Sequence, residues 1–256
     1  MICCNLQGPS IVHDSLNSLA SMRVTIPFNG KALRGYLLRS RASTGRMPVV
    51  LCLAGPGQRK ADVFRSLRIH AQAHRFFLLV VDLPGLDCAN GFSSSFVVEA
   101  AISAWVDYLL RRNDVQPDAI ALFGNGCGAE LATRGAASDD RFAAVVCDGG
   151  VRDFLERGFA ANHFAGGGQP SGYRRFEGSS IARTIRCPVL VTREADDLAE
   201  PELVVQLGNS LRAAGLNIAW QIFDAGETTA SVAGSPVVNA AAFGWLADQL
   251  VRTEEA

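Results

Sequence analysis

Lysine and histidine are scarce in this 256-residue sequence, although methionine, tryptophan and tyrosine number only three each: Lys31 and Lys60 are its only lysines, and none of its four histidines lies beyond His163. Cationic charge therefore rests on arginine, and chemistry that needs an imidazole near the carboxyl end has no residue to supply it. Runs of like charge are also missing. With a formal net charge of −1 and a pI near 6.4, nothing draws the chain to nucleic acid or to an anionic membrane surface. No Cys-x-x-Cys spacing occurs. Apart from the terminal pair, Cys3 and Cys4, the seven cysteines (Cys52, Cys88, Cys127, Cys147 and Cys187 are the others) stand singly in apolar surroundings, which fits a reducing cytosol. No stretch approaches the roughly 18 apolar residues of a membrane span, and the first residues lack a basic segment, an apolar run and a cleavage site. The expectation is a soluble, cytoplasmic protein with a small-molecule partner and neither nucleic acid nor membrane as a ligand.

What the sequence does have is apolar residues, 48% of the total, enough to bury one large core in a single unit. Residues 1–21 show no period and read as an N-terminal extension over the surface, with the fold occupying 22–256. Segments 23–27 and 32–39, joined by Asn29-Gly30, predict an antiparallel hairpin, because Asn-Gly supplies the positive φ values of a tight turn. Unbroken apolar runs follow at 49–53, 77–81, 120–123, 143–147, 189–192 and 218–223. They alternate with helical patterns at 61–74, 96–112, 127–137, 202–214 and 237–251. Unbroken runs fit strands buried on both faces, so the prediction is an α/β fold: an eight-stranded, mostly parallel sheet with helices on both faces. Ligands then belong above the carboxyl ends of the strands. Residues 151–183 interrupt the alternation and read as a small cap insertion.

The run at 120–123 leads into Gly124-Asn125-Gly126-Cys127-Gly128-Ala129-Glu130 and a helix, the context in which a Gly-x-nucleophile-x-Gly elbow has meaning. Gly124 and Gly128 are its flanking glycines, and Gly126, in the nucleophile position, has no side chain to attack with. A frame shifted by one residue would seat Cys127 there but would put Ala129 in place of the second glycine. Further motifs surround the elbow: Leu53-Ala54-Gly55-Pro56-Gly57-Gln58-Arg59-Lys60, Asp82-Leu83-Pro84-Gly85, Tyr108-Leu109-Leu110 through Val115-Gln116-Pro117-Asp118, and Arg134 to Arg141. From Val49 to about Gly150 the chain resembles the esterase-like α/β-hydrolases related to the fermentation-respiration switch protein. That group includes fungal polyketide-shortening hydrolases and pseudooxynicotine-type carbon–carbon hydrolases. Their separate helical N-terminal domain has no counterpart here.

The resemblance implies an α/β-hydrolase fold with the triad acid at Asp196, in Thr192-Arg193-Glu194-Ala195-Asp196-Asp197. It places Thr228 where the histidine should follow the last strand. A serine triad needs the histidine to take the serine proton, so a chain with Gly126 and Thr228 at those two positions is not expected to run it. Backbone donors outlast side-chain loss: the N–H groups of Cys127 and Gly55 are the expected oxyanion hole. Cys127 sits at a helix N-terminus, where a thiol becomes reactive, although such a residue is also a common packing element. Asp196 or His163 is the candidate proton carrier. Asn125, Gly126, Phe154, Phe159, Phe164 and Tyr173 are the expected pocket lining. Arg152, Arg157, Arg174 and Arg175 offer a place for a phosphate, including that of a carrier protein's arm, or remain solvated. His70 and His74 have the i, i+4 spacing of a metal pair but no evident third ligand, so neither a metal nor a cofactor is expected. Three functions stay open: an enzyme promoting acyl transfer, cyclisation or bond cleavage on an acyl, polyketide-like or aromatic substrate; a non-catalytic ligand-binding protein; and a hydrolase or acyltransferase using Cys127.

Overall fold

The unbroken apolar runs become strands that are covered on both faces. The computed structural model describes residues 21–39, 45–55, 58–83, 95–149, 184–194, 201–213, 215–224 and 235–251. Among them are β1 (Ser21–Phe28), β2 (Lys31–Leu38), β3 (Met47–Leu53), α1 (Lys60–Ala73), β4 (Phe77–Val81), α2 (Ser95–Leu110), β5 (Val115–Asn125), α3 (Cys127–Ser138), β6 (Ala144–Asp148), β7 (Val189–Glu194), α4 (Pro201–Ala213), β8 (Ile218–Phe223) and α5 (Pro236–Val251). Residues 1–20 and the expected cap, 151–183, lie outside the described residues. None of the described helices is long and apolar enough to cross a membrane.

The eight strands form one sheet in the order β1-β2-β4-β3-β5-β6-β7-β8. β2 runs antiparallel to β1 and β4, and all other neighbours are parallel. Asn29 and Gly30 take φ values of 45° and 73°, as the tight turn between β1 and β2 requires. β5 begins at Val115, five residues before its apolar run. Its pairing with β3 jumps from Met47↔Val115 to Val49↔Ile120, and the intervening Pro117 has no N–H for a ladder.

Alternation along the buried strands divides the core in two. Val49, Leu51 and Leu53 face a layer containing Ile102, Trp105 and Leu109 of α2 and Leu131 and Ala132 of α3. Val50 and Cys52 face Phe64 and Leu67 of α1 and Phe243 and Leu246 of α5. Phe243 lies 5.9 Å from the Phe123 ring, so α5 packs directly under the strand that carries the elbow.

Two features fix that elbow. A Cβ added to Gly124 would overlap the Gly128 carbonyl and lie 2.7 Å from the Ala129 Cα; one on Gly128 would lie 2.5 Å from the Leu53 carbonyl oxygen. The backbones of β3, β5 and α3 therefore touch at Gly124 and Gly128. The second feature is a polar clamp between α2 and α3. Arg134 Nε donates to Glu99 at 2.9 Å, and Asp139, the C-cap of α3, accepts from Ser103 at 2.7 Å and from Arg141 Nη2 at 2.6 Å. Burial alone would raise the Asp139 pKa, but the hydrogen bonds from Arg141 and Ser103 hold it below the usual carboxylate range.

Gly124→Ala or Gly128→Ala should therefore destabilise the protein by about 3 kcal/mol or more, lowering Tm by roughly 6–12 °C. A loss below 1 °C in calorimetry would contradict the close approach. For Asp139 the folded carboxyl ionises at lower pH than the unfolded one. Its contribution is complete above the unfolded value of about 3.9 and disappears as pH falls through the folded one. Asp139→Asn should lower stability at pH 7 and flatten its decline between about pH 5 and 2 in urea titrations. An unaltered acid profile would show that the clamp contributes nothing.

Candidate functional site

β5 delivers the elbow to the middle of the sheet, where the ends of β3, β6 and β7 surround it. Gly126 has φ 55° and ψ −121°, a backbone state that costs a residue with a side chain about 1–3 kcal/mol. Its N–H donates to the Asp148 carbonyl at 2.7 Å, which ties the turn to the end of β6. Among the described residues, a Cβ at position 126 would meet one neighbour within 4 Å, Gln58 Nε2 at 3.7 Å.

Gln58 begins a directed chain of hydrogen bonds. The Gly55 N–H donates to Gln58 Oε1 at 2.9 Å; Gln58 Nε2 donates to Asn125 Oδ1, and Asn125 Nδ2 to Asp148 Oδ2, each at 2.5 Å. Thr192 Oγ1 donates to the other carboxylate oxygen at 2.7 Å. The parallel register of β5, β6 and β7 causes this meeting, because Asn125 pairs with Asp148 and Asp148 with Thr192. Asn125, Asp148 and Thr192 are buried. A backbone N–H can only donate, so the Gln58 carboxamide has one allowed orientation, and every described donor in the chain points toward Asp148. Cys52, on β3, feels the arrangement: burial raises its pKa and the negative charge of Asp148 raises it further, which leaves it an inert core thiol. At the loop's far side Lys60, lying 5.4 Å above the Tyr36 ring, pairs with Asp82 and ties the start of α1 to the end of β4.

One sequence expectation needs correction. The Gly55 N–H is not an open oxyanion donor; it is bonded to Gln58, and the next residue, Pro56, has no N–H to offer. Cys127 is the first residue of α3, so its N–H belongs to those with no partner inside the helix. Its side chain lies outside what the structure describes, as do Asp196, His163, Thr228, Phe154, Phe159, Phe164, Tyr173 and the arginines at 152, 157, 174 and 175. Asn125 and Gly126 stand together at the site as expected. His70 and His74 are spent on ring packing, 5.9 Å from Phe243 and 5.8 Å from Phe76. Gln58, Asp148 and Thr192 are the site residues that sequence reasoning passed over. The available signal was position alone: Asp148 ends β6, Thr192 lies in the last half of β7, and Gln58 follows β3 in the loop before α1.

No family model matches the chain, and no curated protein matches it in sequence. Solved structures do match. The crystal structure of the 2,6-dihydroxy-pseudo-oxynicotine hydrolase is 18% identical with a TM-score of 0.65, over 92% of this chain and 70% of that one. Est1E from Butyrivibrio proteoclasticus is 14% identical, with a TM-score of 0.65 over 90% and 99% of the two chains. A dienelactone hydrolase-like promiscuous phosphotriesterase from metagenomic libraries is 17% identical, with a TM-score of 0.63 over 90% and 98%. Identities this low carry the fold. With its eight-stranded, mostly parallel sheet and helices, the chain has the α/β-hydrolase fold.

Proposed function

We propose that the chain is an enzyme that acts on an acyl or polyketide-like substrate without a covalent protein intermediate, promoting acyl transfer, cyclisation or bond cleavage at the vacated elbow. The observation that carries this reading is Gly126: the backbone has the strained elbow geometry, and among the described residues there is space where an attacking side chain would project. A substrate group can enter that space and bring its carbonyl to the N-terminus of α3. There the Cys127 N–H and the positive end of the helix face a developing oxyanion, and one such donor is worth about 3 kcal/mol. The attacking atom then belongs to the substrate or to an acceptor. Proton movement falls to Asp196 or His163, and the substrate arrives free or on a carrier protein. That the structural neighbours are hydrolases supports a carbonyl-bearing substrate.

One observation favours a second reading, a non-catalytic ligand-binding protein: the Gly55 N–H, the loop donor expected for an oxyanion, is already held by Gln58. The two readings separate on turnover. Wild type incubated with a panel of N-acetylcysteamine thioesters and a nucleophilic acceptor should consume the thioester only with acceptor present, and intact mass spectrometry should find no acyl adduct. An adduct that disappears in Cys127→Ala would replace this proposal with covalent catalysis. Binding without consumption would favour the second reading. Asp196→Asn should lower kcat with little change in ligand affinity if that residue moves the proton.

Restoring the missing hydroxyl supplies a further check. Gly126→Ser should fold with a loss of about 1–3 kcal/mol, since its Cβ fits but its φ is strained. It should leave p-nitrophenyl ester hydrolysis at background, because the resemblance puts Thr228, not a histidine, at the position of the base. Robust esterase activity in that single variant would show that another group already serves as the base.

A further inference from the structure

We propose that Gln58 is an internal ligand of the carbonyl-binding site: its side-chain oxygen occupies the Gly55 N–H in the resting protein, and an acyl substrate engages that donor by displacing it. The inference deepens the reading above and rests on it, since it says how a second backbone donor reaches the carbonyl held at the N-terminus of α3.

The position of Gly55 gives the donor its value. Gly55 follows β3 within two residues, and its nitrogen would lie 3.5 Å from a Cβ on Gly128. It therefore borders the first turn of α3, the turn to which the Cys127 N–H belongs. Gly55 is buried, and a buried N–H has to be satisfied by some acceptor. A donor kept waiting for substrate would break that rule. The chain meets it with a carbonyl of its own: the Gly55 N–H donates to Gln58 Oε1 at 2.9 Å, and the Gln58 N–H donates back to the Gly55 carbonyl at 3.1 Å. One residue thus holds both polar groups of the Gly55 backbone.

The group that does so has the chemistry of the substrate it replaces. A carboxamide oxygen is a neutral sp² acceptor, as is the oxygen of an ester, a thioester or a ketone. Exchange of one for the other at Gly55 is close to even in the ground state. Once negative charge develops on the substrate oxygen, its hydrogen bond becomes roughly twice as strong as that of a neutral amide, and the exchange favours the substrate. The internal ligand therefore competes with the bound acyl group more than with its transition state. Gln58 is half-buried, in the loop before α1, and its Nε2 donates to Asn125 Oδ1 at 2.5 Å. That second bond sets the carboxamide back on Gly55 after product leaves.

Removing the internal carbonyl tests the idea through a gain rather than a loss. Gln58→Met keeps the side-chain length without the oxygen, and Gln58→Ala removes both. Each variant leaves the Gly55 N–H without its acceptor, so Tm should fall. Each should nevertheless bind S-octanoyl-N-acetylcysteamine, a neutral thioester, about tenfold more tightly than wild type in isothermal titration calorimetry, because a hydrogen bond is gained instead of exchanged. Hydrogen exchange at the Gly55 amide should be faster in both variants and slow again when the thioester saturates them. A purely structural glutamine would give the fall in Tm with no gain in affinity. Affinity at or below that of wild type in both variants would overturn the role of Gln58 and leave the elbow reading intact. Tighter binding with no acceptor-dependent consumption would uphold the displacement and overturn the catalytic reading. No binding by wild type or either variant of this thioester, or of a matched ketone and ester, would overturn both. Wild type alone carries one further check: the side-chain amide resonances of Gln58 should move on saturation with the thioester, and unmoved resonances would overturn the displacement.

Discussion

At the elbow the Leu53 carbonyl, the Gly128 backbone and the Gly124 backbone meet with no space for a Cβ between them, and that contact decides where everything else at the site can lie. It presses the start of α3 against the ends of β3 and β5. The chain must then reverse over Gly126 alone, and this produces the strained φ and ψ found there. The cost falls on glycine, which adopts such angles freely, where any other residue would carry strain. The strain of the turn therefore falls on a residue with no side chain.

Once the turn is fixed, the parallel sheet supplies the rest. Asn125 ends β5, and its register partner Asp148 ends β6, so two polar residues far apart in sequence become neighbours beneath the seat. Burial makes their hydrogen bonds obligatory, because an unsatisfied carboxamide or carboxylate in that position costs about 1–3 kcal/mol or more. The chain of donors that results runs outward to Gln58 and the Gly55 backbone. It holds the loop after β3 close to the elbow, with Lys60 and Asp82 securing its far side. The need to satisfy buried polar groups thus also ties the loop after β3 to the elbow.

The sequence made the fold legible because its signals are local. The segments 77–81 and 218–223 are read from apolar continuity and coincide with β4 and β8; Asn29-Gly30 announces the hairpin. The early start of β5 was hidden, since Pro117 and Asp118 argue against a strand by composition and only pairing with β3 overrides them. At the site the spacing of Gly124, Gly126 and Gly128 was readable for the same local reason. Gln58 was not. Its partner Asn125 lies 67 positions away, and a glutamine in a loop carries no period or motif of its own. Asp148 becomes visible only when β6 is known to lie beside β5, and the engagement of the Gly55 N–H follows from a side chain three residues on.

The central claim is that a carbonyl seats over Gly126 and is polarised there without bonding covalently to the protein. The most direct measurement is the carbon-13 resonance of a thioester labelled at its carbonyl carbon and bound to the wild-type protein. The account predicts a signal shifted downfield of its value in water, as hydrogen bonding withdraws electron density from the carbonyl, with the intact thioester recovered on dilution. A resonance at its value in water, or one belonging to an acyl group attached to the protein, would contradict it.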